Sequence, residues 1–148
     1  MNRPYLFLLL PALLLAACGE PEDTRPGQPV KTRQIAFKEI IKAYEPMGVM
    51  LRTDRFETEK FLRLANELNA RKDGPWAHFA ADTNYPPTKA TAEVWSQTAD
   101  FEQERDAFLN KVEVLQKAAE SKDRKQVEAP YQAVYDSCQS CHRTYKRR

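Results

Sequence analysis

Cys138-Gln139-Ser140-Cys141-His142 closes a helical pattern that runs from about Arg124 to Lys146. Val127, Tyr131, Val134, Cys138, Cys141/His142 and Tyr145 recur at spacings of three and four, so they share one face of a helix. Asp123 stands at the N-cap position with Gln126 three places on, as in a capping box. Pro130 falls inside the pattern, where it predicts a kink or a delayed start. The pattern therefore turns both thiols and the imidazole toward a core. Two cysteines three positions apart can each add to one vinyl group of a haem. The following histidine can bind the iron, which is the spacing of haem c attachment.

Two other chemistries use a CxxC pair. A structural zinc site draws four ligands from cysteine and histidine. The chain has three cysteines and two histidines, and one cysteine, Cys18, lies in a leader-like segment. A site of four cysteines is excluded, and one of two cysteines and two histidines would need distant His78 to fold back. A thioredoxin-like pair belongs near a βαβ unit, and no strand pattern lies nearby. His142 is the residue that haem attachment requires and the other two do not. With both thiols committed to haem, no structural disulfide is expected.

The chain has 148 residues, enough for one core, with 23 basic and 21 acidic side chains. That balance does not suit a nucleic-acid-binding surface. The basic end of the chain (Arg143, Lys146, Arg147, Arg148) reads as cations complementing a helix C-terminus. Residues 1–17 read as a signal peptide, with Arg3 in a short basic region and an apolar run from Leu6 to Leu15. The sequence Leu15-Ala16-Ala17-Cys18-Gly19 resembles a bacterial lipoprotein signal, which implies lipid attachment at Cys18 and membrane anchoring through it. Gly19 lacks the aspartate associated with inner-membrane retention. Residues 18–29, rich in Pro, Gly and charge, read as a lipidated cysteine and a flexible tether.

Residues 30–148 carry four amphipathic patterns. The first covers about Lys31 to Leu51, with Phe37, Ile40, Ile41, Tyr44, Met47 and Leu51 on its apolar face and a kink predicted at Pro46. The second covers about Arg55 to Lys72, with Asp54 as N-cap and Glu57 three places on. Phe61, Leu64, Ala65 and Leu68 form its stripe, and Gly74-Pro75 ends it. A loop over residues 73–95 holds both tryptophans, Trp76 as a plug at the bundle end and Trp95 as a candidate haem neighbour. The third helix covers about Thr98 to Glu120. The expected fold is all-α, an up-down-up-down four-helix bundle with haem c on the C-terminal helix.

Haem on the last of four helices resembles the class II cytochromes c over about Val30 to Arg148. Matching stretches are Val30-Lys31-Thr32-Arg33-Gln34, Pro46-Met47-Gly48, Gly74-Pro75-Trp76, Ala92-Glu93-Val94-Trp95 and the haem motif with Tyr145. Cytochrome c′, a known example of this bundle topology, carries a non-ligating residue four places after the arginine that opens the first helix. Electron carriers resembling cytochrome c-556 carry methionine there. Here the arginine is Arg33 and the position is Phe37, so the chain resembles cytochrome c′, with Phe37 on the distal haem face. The resemblance also implies haem contacts from Arg33 and Gln34 to the propionates and from Thr91 and Glu93 at the haem edge. It implies a homodimer through the first two helices and a periplasmic location. Many cytochromes c′ have arginine four places after the ligating histidine, where this chain has Lys146. His78, beyond Trp76, reads as a surface histidine.

The motif together with this resemblance implies one covalent haem c with His142 as axial ligand, five-coordinate high-spin iron, and NO and CO as ligands. An apolar distal side lacks the donor that bound O2 requires. A low-spin electron carrier resembling cytochrome c-556, with a respiratory redox partner, is the alternative. No distal acid–base pair marks an enzyme, although an open iron site permits weak peroxidase or NO reductase activity.

Overall fold

The computed structural model describes residues 21–53 and 55–147. The signal segment, Cys18, Asp54 and Arg148 lie outside the described residues. Four long helices carry the fold: α1 (Pro29–Arg52), α2 (Thr58–Arg71), α4 (Thr98–Ala119) and α5 (Arg124–Tyr145). A 3-10 turn (Trp76–His78) and a short helix, α3 (Glu93–Ser96), lie within the long connection. No strand occurs among the described residues, only an isolated antiparallel bridge between Ala90 and Lys146. The chain is an all-helical bundle in which α1 packs on α2, α2 on α4 and, most extensively, α4 on α5.

The apolar stripes meet as the periodicity requires. The larger core joins Ile40, Ala43 and Met47 of α1, Phe61 and Leu68 of α2, Val112 and Leu115 of α4, and Val127 and Val134 of α5. A smaller cluster of Ala90, Val94, Phe101 and Tyr145 closes the end where α5 finishes. Trp76 packs against both clusters and so joins them.

Helix ends show where local signals succeed. Asp123 Oδ1 accepts from the Lys125 N–H at 2.9 Å, the expected N-cap. Gln126 reaches back to the Asp123 carboxylate at 3.4 Å rather than to its backbone, so the capping box is only partly formed. The start of α2 is later than the sequence suggests. Its N-cap is Glu57, which makes no side-chain cap. The rings of Phe56 and Phe61 meet at 5.2 Å across the first turn, a hydrophobic staple between the residue before the cap and the fourth helical residue. Neither proline ends its helix. α1 continues past Pro46 to Arg52, and α5 starts at Arg124, so Pro130 does not delay it.

The described chain is ordered against the domain well before position 30. Asp23 is 1% exposed. Its carboxylate accepts from the backbone N–H groups of Val30 at 2.9 Å and Lys31 at 3.1 Å. It thereby satisfies two orphan donors at the start of α1. Gln28, the residue next to α1, makes no side-chain cap of its own. The turn between Asp23 and α1 passes through left-handed backbone at Gly27 (φ 75°) and Gln28 (φ 41°), where glycine costs least. The tether expected over 18–29 is therefore fastened to the domain at Asp23.

Candidate haem site

α5 presents the motif as its period demands. Cys138 is half-buried against the larger core and Cys141 against the smaller cluster, so the two thiols border adjoining apolar regions. Both are free. Burial pushes the Cys138 thiol up to about 11. Burial, then the charges of Glu104 and Cys138, push Cys141 up to about 12. Both sulfurs are thus neutral thiols at pH 7, the form that supplies both sulfur and hydrogen to a vinyl group. His142 stands at the surface. Partial desolvation and then the cation of Lys146 lower its pKa, favouring the neutral imidazole that a metal ligand must be. Among the described residues no group of three or more His, Cys, Asp or Glu side chains is placed to hold a bare metal ion.

Phe37 lies on α1, half-buried against the same core as Cys138. Its ring meets Trp76 edge-on at 5.5 Å and Phe79 at 6.3 Å. Phe79 in turn meets Phe101 at 5.1 Å and Trp95 at 6.4 Å. Trp76 donates Nε1–H to the Lys72 carbonyl at 2.7 Å, and Trp95 to the Ala80 carbonyl at 2.9 Å. The indole donors are both spent on backbone. The ring surface that Phe37 meets therefore carries no free indole donor.

Arg33 is 3% exposed, and among the described residues its guanidinium hydrogen-bonds neutral groups alone. Its Nη1 donates to the His78 carbonyl at 2.8 Å and Thr83 Oγ1 at 2.8 Å. Its Nη2 donates to the Thr83 carbonyl at 3.0 Å and Thr88 Oγ1 at 2.6 Å. The guanidinium also lies over the Phe79 ring, 4.6 Å from its centroid. A guanidinium has five N–H donors, so these bonds leave the Nε–H for a further acceptor. Gln34 donates to the Pro87 carbonyl at 3.1 Å. Both residues grip the loop, and the sequence held no signal of this. Thr91 sits at the far end of α5, its Oγ1 donating to the Thr144 carbonyl at 2.9 Å and its N–H to the Tyr145 carbonyl at 3.1 Å. The Thr91 hydroxyl also holds the half-buried Glu93 carboxyl below its usual range. Arg147 donates to the Ala90 carbonyl from Nη2 at 2.8 Å, so the basic tail does more than offset a helix dipole. His78 is half-buried, with its carbonyl held by Arg33.

Comparison with known proteins bears on the whole assembly. The Cytochrome C' family model matches residues 28–146. The chain belongs to the cytochrome c′ family. It is 27% identical over 131 residues to cytochrome c′ of Alcaligenes xylosoxydans xylosoxydans, covering 88% of this chain and 98% of that protein. Among solved structures it is similar to cytochrome c prime from Shewanella frigidimarina. There the TM-score is 0.80 at 29% identity, with 84% of this chain and 98% of the other covered. It is also similar to the nitric oxide complex of a cytochrome c prime mutant from Alcaligenes xylosoxidans. That match has a TM-score of 0.79 at 26% identity, with 86% and 99% covered. Cytochrome c′ proteins are haem proteins with electron-transfer or gas-binding roles rather than enzymes of the usual kind.

The residues present fit that cofactor. Two neutral thiols and an imidazole stand at haem c spacing on one helix, beside aromatic packing that a flat macrocycle can join.

Proposed function

We propose that this cytochrome c′ is a gas-binding haem c protein, selective for NO and CO, exported to the periplasm and held at the membrane by lipid on Cys18. Cys138 and Cys141 would hold the haem through thioether bonds, and the His142 imidazole would bind its iron. When bound, the haem supplies an iron with one open coordination position. Phe37 carries the reading. It has no lone pair for iron, and its ring packs edge-on to Trp76 and Phe79. Such a side gives O2, which needs a hydrogen-bond donor, little support, whereas NO and CO bind ferrous haem without one. The solved nitric oxide complex of the similar Alcaligenes protein supports gas binding.

Arg33 and Gln34 face the haem propionates in this reading. Arg33 contributes charge and its Nε–H, while its forked end holds the loop. Thr91 and Glu93 border the haem edge from the segment joined to the end of α5. Four residues lie between Cys18 and buried Asp23, a reach of at most about 18 Å. Lipid on Cys18 would therefore hold the loop end of the bundle close to the bilayer.

Absorption spectra of the purified protein, ferric and ferrous, with and without NO, test the haem and its ligation. The expected result is high-spin five-coordinate iron that takes up NO in the ferrous state. A six-coordinate low-spin resting spectrum overturns it and favours the electron carrier. Palmitate labelling that is lost in Cys18→Ala tests the anchor.

A further inference from the structure

The stretch Asp23–Gln28 was expected to be a spacer, yet it is bonded to two parts of the molecule at once. Asp23 divides its carboxylate between them. Oδ2 accepts from Val30 and Lys31 at the start of α1. Oδ1 accepts from the Tyr85 hydroxyl at 2.8 Å. A helix cap requires only the first pair. The second ties α1 to the loop at a sequence distance of more than sixty residues. Arg25 repeats the connection. Its Nη1 donates to the Asp82 carbonyl at 2.7 Å, and its guanidinium lies 3.9 Å from the Tyr85 ring centroid.

We propose that residues 23–28 form a strap whose Asp23 and Arg25 position the 78–88 loop against Phe37, and so set how readily that ring moves. The inference rests on the reading above, in which Phe37 covers the gas-binding side. The path is continuous in the structure. Asp23 and Arg25 hold the loop at Asp82 and Tyr85. Arg33 holds the same loop from α1, at His78, Thr83 and Thr88. Phe79 lies beneath the Arg33 guanidinium and touches Phe37. To move aside, Phe37 must separate from Phe79, a ring whose backbone neighbours are tied down from both sides. Slackening the strap lets Phe79 yield with Phe37. Asp23 and Arg25 are positioning residues in this arrangement and touch no ligand.

The carboxylate suits the role. Burial raises its pKa, but the bonds from Lys31, Tyr85, Arg25 and Val30 outweigh that and leave it lowered, so the strap is fastened at neutral pH.

The test uses the full-length, haem-loaded protein and two variants, Asp23→Asn and Arg25→Ala. Arg25 is exposed and, among the described residues, its side chain bonds to the loop alone, so its removal leaves the bundle folded even where Asp23→Asn does not. Hydrogen exchange is measured on the ferric, gas-free protein, and CO association on the ferrous protein. Losing one charge-assisted bond should speed exchange of the 78–88 amides about tenfold, with the interiors of α2 and α4 unchanged. CO association should rise with it. Exchange that quickens only in the first turn of α1, or not at all, overturns the strap. Faster loop exchange with CO association at the wild-type rate overturns its connection to Phe37. A wild-type iron that is already six-coordinate refutes the gas-binding reading instead, and the exchange result judges the strap independently.

Discussion

Replacing Phe37 by alanine tests the distal reading most directly, and the structure sets the size of the effect. For a ligand to enter, the ring must leave its edge contacts with Trp76 at 5.5 Å and Phe79 at 6.3 Å. Aromatic pairs of this kind contribute about 0.5–1.5 kcal/mol each beyond the area they bury, so displacing the ring costs about 1–3 kcal/mol. Alanine removes that cost, which corresponds to a gain of about 5- to 150-fold in CO affinity, expressed mainly in the association rate. The ring is only half-buried. Its loss should therefore destabilise the fold by about 2 kcal/mol, below the usual 3–5 for a fully buried phenylalanine. Flash photolysis of the ferrous CO complex measures the rates, and urea unfolding measures the stability. Phe37→Leu should fall between the two, since it keeps bulk but loses the ring edge. CO rates within twofold of wild type, in a variant destabilised as expected, would show that Phe37 is a core ring and not a gate.

Three further outcomes follow from other parts of the structure. A Cβ at Gly48 would overlap Tyr131 Oη, and that ring is stacked on Tyr44 at 4.4 Å. Gly48→Ala should therefore lower the thermal midpoint by an amount equivalent to about 1–3 kcal/mol, and Tyr131→Phe in the same chain should recover part of it; two additive losses would refute the close approach. Asp23 has a lowered folded pKa, so the stability it gives is present above its unfolded value of about 3.9 and is lost as pH falls through the folded value. Asp23→Asn should flatten the acid limb of the stability curve in that window, and an unchanged limb would show that the bonds from Tyr85, Arg25, Val30 and Lys31 carry no linkage. Cys138→Ala and Cys141→Ala should each keep haem through acid-acetone extraction and the double variant should release it, as attachment through two separate thioethers requires.

The bundle was legible because its signals are local and periodic. Val127, Val134 and Tyr145 on α5, or Phe61, Leu64 and Leu68 on α2, announce a buried face through spacing alone. The placement of Cys138, Cys141 and His142 on one helix was legible for the same reason, since the three lie within five residues. The start of α2 was misplaced because Asp54 looked like a better cap than Glu57, whereas the Phe56–Phe61 staple sets the entry. Arg33 shows the other limit. Resemblance gives it to the propionates, yet its terminal nitrogens bond neutral loop acceptors 45 to 55 residues away. Such partners leave no period and no charge pattern in the chain. Asp23 was hidden similarly, because its second duty lies at Tyr85.

The long loop is where these unreadable contacts converge, and elementary accounting explains why. Thr83 and Thr88 are buried, at 2% and 8% exposed, in a segment with no helix or strand to satisfy its backbone. Buried polar groups must find partners or cost stability. Here α1 supplies them through Arg33 and Gln34, the N-terminal segment through Asp23 and Arg25, and the C-terminus through Arg147. The last of these follows directly on the helix that bears the haem motif, while the first two hold the loop whose Phe79 meets Phe37. One irregular loop is thus fixed both to the end of α5 and to the side that Phe37 occupies. A change at the end of α5 therefore has a short covalent and hydrogen-bonded route to the side that Phe37 occupies, through a segment that has no regular structure of its own to resist it.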